Sequence, residues 1–243
     1  DSFLAQTDFA REVRDAQRMK HNFRNVDYVV VPNVYPEFTI KNPSMIVMDY
    51  INGDTIDKLY PEDKDEYTLL FAKYVSKCLF FDRFFHADLH PGNIRFISIG
   101  GVKRIGIIDF GIMGEMTREE QDAAYRAYRL FADKEWGRLA ELTMDQYVEP
   151  KSRINGMTSV DWTALKNEVM IVLSRPELSN MGPEGLFALS QCLRSYDLSL
   201  SRSFSKIELT LCVSASIHLS LGNDIDFKTA MREANYKSAI WEI

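Results

Sequence analysis

The chain has 243 residues, of which 46% are hydrophobic and 26% are charged, and its formal net charge is -6. This composition is typical of a folded globular protein and excludes wholesale disorder. A mildly acidic chain also lacks the broad basic surface of a nucleic-acid-binding protein, so no nucleic-acid partner is expected. The length suits one large domain or two small lobes that share a cleft.

The three cysteines, Cys78, Cys192 and Cys212, form no Cys-x-x-Cys pair, so neither a zinc knuckle nor a disulfide framework is indicated. Apolar neighbours of Cys78 and Cys192 favour buried, reduced thiols and hence an intracellular location. The chain has no run of about 18 apolar residues, so no membrane span is predicted. The missing initiator Met favours a processed product, a cut chain or a fragment.

The first segment predicts one helix and two strands. A helix that ends before Asn25 is indicated by the helical spacing of Phe9, Val13, Ala16, Met19 and Phe23. Pro32 interrupts the next extended run, so we expect the strand at Val34–Ile40. A second strand is expected at Met45–Tyr50, after a turn at Lys41–Ser44.

The segment Ile51–Asp54 breaks the second strand and is the predicted boundary between two lobes. Residues 1–50 would then form a partial N-terminal lobe, and residues 51–243 a mostly helical C-terminal lobe. A long helix is expected at Glu62–Phe84. Four aromatic residues near its end could form an exposed patch, but we expect core positions for Phe80, Phe81, Phe84 and Phe85.

A loop at His86–Asn93 leads into a predicted hairpin. Its strands are expected at Ile94–Ile97 and Arg104–Ile108, and Ser98–Gly101 has the composition of a tight turn between them.

The rest of the chain is predicted to be helical. A capping box, Thr117-x-x-Glu120, indicates the first helix start. Residues 207–221 alternate apolar and small polar side chains, which is typical of a strand, but so long a strand is unusual and we expect a helix. Further helices are expected at Asp133–Asp145, Val160–Leu173, Pro183–Tyr196 and Phe227–Trp241.

The loop carries several chemically competent side chains. Asp88 and Asn93 stand five positions apart, and Asp109, which opens an Asp-Phe-Gly triplet, follows Asn93 by sixteen positions. Carboxylate and amide oxygens are ligands that Mg²⁺ prefers, and a carboxylate can accept a hydroxyl proton or orient a water. This spacing matches the protein-kinase arrangement for phosphoryl transfer from Mg-ATP.

We therefore expect Asn93 and Asp109 to bind the metal and Asp88 to be the catalytic carboxylate. His86 would brace the loop from inside, and His90 completes the set of candidate catalytic residues. The spacing of His86, Asp88 and His90 also suits zinc on a strand, but zinc would leave the following Pro-Gly and the distant Asp109 unexplained.

Together, His86–Asn93 and the Asp-Phe-Gly triplet resemble the UbiB, or aarF-domain, family of atypical kinases. Upstream, Asp8–Glu12, Val31–Tyr35 and Met48–Gly53 are similar to that family's αC helix, its first strand after αC and its hinge. The resemblance covers residues 4–130 and extends loosely over the helical tail. It implies an α+β, protein-kinase-like fold.

The resemblance also implies roles and partners. Asp88 would be the catalytic-loop aspartate, and ATP with Mg²⁺ would be the cofactors. The family is linked to ubiquinone and other prenyl-lipid biosynthesis, to ATPase activity and to membranes. A quinone precursor and the periphery of a bacterial, mitochondrial or plastid membrane are thus implied. The implied nucleotide-binding residues are Glu12, Met48, Asp49, Tyr50 and Ile51.

Two features depart from the family pattern. Only eleven residues precede Glu12 and none is lysine, so its expected lysine partner would lie upstream. Glu12 could instead be an exposed helix charge that pairs with neighbouring arginines. The family's Glu-x-Asp motif reads Gln6-Thr7-Asp8 here. The family's nucleotide loop and strand-three lysine, which position the phosphates, are also absent from this chain. Because such positioning supplies much of the rate and affinity, we expect this chain alone to bind nucleotide weakly.

Two other functions compete with a UbiB-type ATPase or small-molecule kinase. Aminoglycoside and choline kinases use a similar His-x-Asp-x-His-Pro-x-Asn loop. After the metal aspartate, however, they usually have Trp or another residue where this chain has Phe110 and Gly111. A non-catalytic pseudokinase scaffold is the third possibility. The presence of every catalytic-loop side chain argues against it, and the lack of a lysine before Glu12 argues for it.

Overall fold

The computed structural model describes residues 8–175 and 183–221, and its contacts divide the chain into two compact units. The first unit runs to Gly114 and takes in the chain from Ile217 onwards, while the second is Glu115–Ser216. The lobe boundary expected between residues 50 and 51 lies inside the first unit and stays a prediction. No helix in the described ranges is long and apolar enough to cross a bilayer.

Helix α1 spans Phe9–Asn22, as the apolar periodicity predicts. The Asp8 carboxylate accepts the N–H of Arg11 at 3.0 Å and caps the first turn. Burial of one side of the helix fixes its rotation and leaves Glu12 half-buried at the first turn. The buried positions are Val13, Ala16 and Met19.

The strand predicted at Val34–Ile40 is wrong, because Pro36–Lys41 forms helix α2. Pro36 stands in the first turn of this helix, where its fixed φ is favourable and no N–H is needed. Strand β1 is formed instead by Val29–Val30.

The second strand, predicted at Met45–Tyr50, is also wrong as a continuous element. The segment keeps only an isolated antiparallel bridge, between Val34 and Met48. The turn predicted before it is confirmed, because the N–H of Met45 donates to the carbonyl of Asn42 at 3.0 Å.

Helix α3 spans Lys64–Lys77 and is shorter than predicted at both ends. A 3₁₀ turn at Pro61–Asp63 precedes it, and a π-helical turn at Cys78–Asp82 follows. Arg83 then adopts a left-handed φ of 54°, which ends the right-handed path. The chain continues as strand β2, Phe84–His86, so the catalytic loop begins from a strand.

The predicted hairpin is confirmed as β3, Ile94–Ile99, and β4, Val102–Ile107. Gly100 and Gly101 form its turn with φ of 60° and 81°, where glycine has no steric penalty. Strand β1 pairs in parallel with β4, giving the order β1-β4-β3. Because Ile94 pairs with Ile107, the residues before β3 and after β4 lie side by side.

Aromatic side chains form much of the core of the first unit, and the core positions expected for Phe80, Phe84 and Phe85 are confirmed. The rings of Tyr67 and Phe96 meet edge to face at 5.0 Å between centroids. Phe81 is half-buried. Fully or almost fully buried are Phe71, Phe80, Phe84, Phe85, Phe96 and Phe110.

The second unit begins with the predicted capping box. The hydroxyl of Thr117 accepts the N–H of Glu120 at 3.1 Å, and the Glu120 carboxylate accepts the N–H of Thr117 at 2.7 Å. The helices that follow are α4, Arg118–Ala132; α5, Trp136–Tyr147; α6, Lys151–Asn155; α7, Ser159–Leu173; and α8, Pro183–Arg194.

One short helix and two short strand pairs have no counterpart among the elements predicted from the sequence, because they are too short to leave a periodic signal. They are α6 and the paired strands β5 with β2 and β6 with β7, where β5 is Met113–Glu115, β6 is Val148–Glu149 and β7 is Ser199–Leu200. Helix α9, Arg202–Leu221, confirms the helix expected at 207–221. The helix predicted at Phe227–Trp241 lies outside the described residues.

Replacing Phe96 by Ala should lower the free energy of unfolding by about 3–5 kcal/mol, because the change leaves a cavity beside Tyr67. Chemical denaturation measures the loss. Ile99→Ala is the matched control on the same strand, since Ile99 is 70% exposed against 1% for Phe96. Equal losses for both substitutions would contradict the assignment of Phe96 to the core.

Candidate active site

His86 lies at the end of β2 and is 2% exposed. Its Nδ1 accepts the N–H of Asp88 at 3.1 Å, which fixes the first turn of the loop. Burial lowers the pKa of His86 to about 4, although the negative charges of Asp109 and Asp88 and the backbone of Asp109 act in the opposite direction. Nε2 makes no hydrogen bond of normal geometry in the described part of the chain. The ring is therefore a neutral support inside the loop at pH 7.

Asn93 is buried and ties the loop to the neighbouring strand. Its side-chain Nδ2 donates to the carbonyl of Asp88 at 3.3 Å, and its own carbonyl accepts the N–H of Ile108 at 3.1 Å. Because Nδ2 is used within the loop, Oδ1 is the atom left for a metal. The carboxylate of Asp88 is exposed to solvent and to any substrate.

His90 is exposed, and its Nδ1 accepts the N–H of Gly92 at 3.1 Å. The backbone N–H of Asn93 donates to the carbonyl of His90 at 2.9 Å, which closes a 3₁₀ turn at Pro91–Asn93. No cluster of three or more His, Cys, Asp or Glu side chains able to hold a metal occurs among the described residues. The zinc alternative thus has no donor set there, whereas Mg²⁺ commonly needs only one or two carboxylates.

Asp109 follows β4 and is half-buried. Its Oδ1 accepts the N–H of Gly111 at 2.9 Å, while the ring of Phe110 is fully buried. This turn holds the carboxylate in place and leaves its other oxygen available. A Cβ placed on Gly111 would lie 3.4 Å from the Asp109 Oδ1 and 3.8 Å from Oε2 of Glu12, so the two carboxylates flank one glycine.

Burial and the negative charge of Asp109 raise the pKa of Glu12, and the backbone N–H of Phe110 acts in the opposite direction. Glu12 is thus half-buried, with its carboxylate near that of Asp109. The alternative of an ordinary exposed helix charge does not fit a half-buried carboxylate beside Asp109.

The catalytic loop and the Asp-Phe-Gly turn are joined by backbone contacts. The N–H of Ala87 donates to the carbonyl of Ile112 at 3.0 Å. Nearby, a Cβ on Gly114 would come within 2.4 Å of the Phe85 ring, so only glycine permits this approach. Gly114 belongs to none of the sequence motifs described above. A glycine in a short apolar run is the signal that could have found it.

The segment predicted to form the hinge is held by hydrogen bonds that link Asp49 to Asn33 and Tyr35. Oδ1 of Asp49 accepts the Tyr35 hydroxyl at 2.7 Å, its Oδ2 accepts the N–H of Asn33 at 3.2 Å, and these bonds lower the pKa of Asp49. The N–H of Asp49 also donates to the carbonyl of Asn33. Tyr50 is 87% exposed and Ile51 is buried.

Lowering the pH from about 6.5 to 4 should destabilise the chain through His86. The unfolded ring takes up a proton near its ordinary pKa of about 6.5, whereas the folded ring does so only near pH 4, so the unfolded state gains more protons. This contribution reaches about 3 kcal/mol at the low end. Denaturation midpoints at several pH values test it in His86→Gln, which should show a flatter dependence. His21→Gln, an exposed control, should keep the parent slope.

Comparison with solved structures gives a similarity to the complex of Rv3197 with erythromycin from Mycobacterium tuberculosis. The TM-score is 0.61 at 17% sequence identity, and the match covers 95% of this chain and 58% of that one. At this identity the likeness concerns the fold alone, and it confirms the predicted α+β, protein-kinase-like fold.

Curated relatives carry the description "Probable protein kinase UbiB". The chain is 27% identical over 231 residues to the one from Pseudomonas putida and 26% identical over 228 residues to the one from Pseudomonas fluorescens. The relative from Marinobacter nauticus is 25% identical over 229 residues. Each match covers 91% of this chain but only 41–42% of the relative, so the chain spans about two fifths of their length.

A family model described as the ABC1 atypical kinase-like domain matches residues 2–143. This range includes α1, the catalytic loop and the Asp-Phe-Gly turn, and it is more than half of the chain. The chain therefore belongs to the family of the ABC1 atypical kinase-like domain.

Proposed function

We propose that this protein binds Mg-ATP and acts as an atypical kinase or ATPase, passing the terminal phosphoryl group to a small molecule or to water. The observation that carries the proposal is the convergence of Asp88, Asn93 and Asp109, joined by the backbone contacts of one loop, with Glu12 against the Asp-Phe-Gly turn.

The roles follow from the atoms that remain available. Asp109 and Oδ1 of Asn93 would hold magnesium, which supplies charge neutralisation at the phosphates. The exposed carboxylate of Asp88 accepts the proton of the acceptor hydroxyl or orients a water. His86 positions Asp88 through its backbone N–H. His90, exposed two residues after Asp88, would face the acceptor side of the loop.

Electrostatics support a cation at this place. Burial and repulsion by the negative charge of Asp109 both raise the pKa of Glu12. A divalent ion, or a cationic side chain, relieves that repulsion and favours both ionised forms. The donors are hard oxygens, which suits magnesium better than zinc.

The relatives support a finer proposal about the pathway. Their shared description as probable UbiB protein kinases favours a role in ubiquinone or other prenyl-lipid biosynthesis, with a quinone precursor as the small-molecule partner. We propose an intracellular location at the periphery of a bacterial, mitochondrial or plastid membrane. The same matches favour this function over an aminoglycoside- or choline-kinase-like activity.

Millimolar Mg-ATP should raise the melting temperature of the chain, because a ligand that binds only the folded state stabilises it by mass action. Each kcal/mol of binding should appear as about 2–4 °C. Asp109→Asn should abolish the magnesium-dependent part of the rise. Asp27→Asn, which removes an exposed carboxylate from the same unit, should leave it intact. A rise that survives Asp109→Asn would place the nucleotide elsewhere.

Replacing Asp88 by Asn should separate turnover from binding. The change removes the proton acceptor but leaves the metal-binding atoms of Asn93 and Asp109, so hydrolysis of ATP should fall by about 100-fold or more. The Mg-ATP stabilisation should stay close to that of the parent chain. Parallel loss of binding and turnover would argue that Asp88 holds the metal or supports the loop.

A further inference from the structure

A second pocket of the first unit lies away from the catalytic loop and has a volume of ≈ 290 Å³. It opens between the last turns of α1 and strand β1, and Arg104 of β4 reaches into its lining. Its walls combine basic side chains with an apolar surface that includes Phe23, Val26 and Val29.

Arg104 is the notable member of the lining. Its Nε is buried and has no hydrogen-bond partner within the described residues. None of the ion pairs in that part of the chain includes it either. A buried donor without an acceptor lowers stability, so such a group is usually satisfied by a ligand or water.

Two further cations line the same pocket. Lys20 Nζ donates to the carbonyl of Val31 at 2.9 Å, and Arg24 Nη1 contacts Nε2 and the carbonyl of His21 at 2.7 and 3.0 Å. Neither forms an ion pair with a carboxylate in the described ranges, and Asp27 is the single carboxylate of the described lining. Three cations against one carboxylate give the pocket a net positive charge.

We propose that this pocket binds a small phosphate monoester. The planar donor fork of an arginine and a neighbouring ammonium match the oxygens of a phosphate dianion. The apolar wall fits a compact hydrocarbon body rather than the bare ion. This site is separate from the catalytic loop, and the proposal does not rest on the proposed function.

Isothermal titration calorimetry of the 243-residue chain, without nucleotide or magnesium, tests the proposal with phenyl phosphate as the probe. Phenyl phosphate should bind more tightly than inorganic phosphate, and phenol, which lacks the charge, should not bind. Arg104→Gln and Lys20→Gln should each weaken binding about tenfold or more, because each removes a charge-assisted hydrogen bond. Arg14→Gln, an exposed change on the same helix, should leave the affinity unchanged.

Arg104→Lys keeps the charge but loses the fork, so it should retain part of the affinity and should fold even if Arg104→Gln does not. Absence of phenyl phosphate binding at millimolar concentration would overturn the proposal. So would binding that Arg104→Lys, Lys20→Gln and Arg14→Gln reduce equally.

The same phosphate chemistry occurs on a lipid headgroup. Flotation with vesicles that contain phosphatidic acid separates the two sources. If the chain floats with the vesicles and the pocket substitutions reduce flotation, the ligand is a lipid. If the chain binds phenyl phosphate but does not float, the ligand is a soluble phosphate monoester. Flotation that Lys20→Gln and Arg104→Lys leave unchanged, with no binding of phenyl phosphate, would contradict the pocket as the phosphate site.

Discussion

The candidate site depends on two carboxylates, those of Glu12 and Asp109, which both lie close to Gly111. Glu12 comes from the first turn of helix α1 and Asp109 from the turn after β4, and the charge of Asp109 raises the pKa of Glu12. Helix α1 packs through its buried residues Val13, Ala16 and Met19, and Phe110 is fully buried next to Asp109. A cation bound next to Glu12 would favour its ionised form.

The loop at His86–Asn93 is held by hydrogen bonds within the protein, which do not require a ligand. His86 is neutral and buried, and it holds the backbone of Asp88, while Asn93 holds the other end of the loop to the residue after β4. The loop thus presents one free carboxylate and one free amide oxygen on a fixed frame. Catalysis of phosphoryl transfer depends mainly on such positioning and on charge neutralisation.

Local sequence patterns were sufficient for the parts of the fold that short-range chemistry decides. The capping box at Thr117, the Gly100–Gly101 turn and the apolar periodicity of α1 are examples. Pattern failed where one residue overrode a plausible run, as Pro36 did by starting a helix in a segment with strand character. It also failed at Cys78–Asp82, where apolar residues continue through a π-helical turn into a strand.

In the candidate site too, some features follow from short-range sequence patterns and others from tertiary packing. The spacing of Asp88, Asn93 and Asp109 is visible in the sequence because these residues lie on one loop and one strand end. The position of Glu12 against the Asp-Phe-Gly turn depends on tertiary packing of α1, and only the family resemblance anticipates it. The close approach of Gly114 to Phe85 also depends on long-range contacts, as does the burial of the Arg104 Nε, which has no hydrogen-bond partner among the described residues. No short-range pattern signals them.

A crystal structure of the chain with magnesium and a non-hydrolysable ATP analogue tests the central claim most directly. We expect a metal about 2.1 Å from an Asp109 carboxylate oxygen and from Oδ1 of Asn93, with octahedral coordination completed by phosphate oxygens and water. A nucleotide bound away from the catalytic loop, or a metal that contacts neither Asp109 nor Asn93, would contradict it.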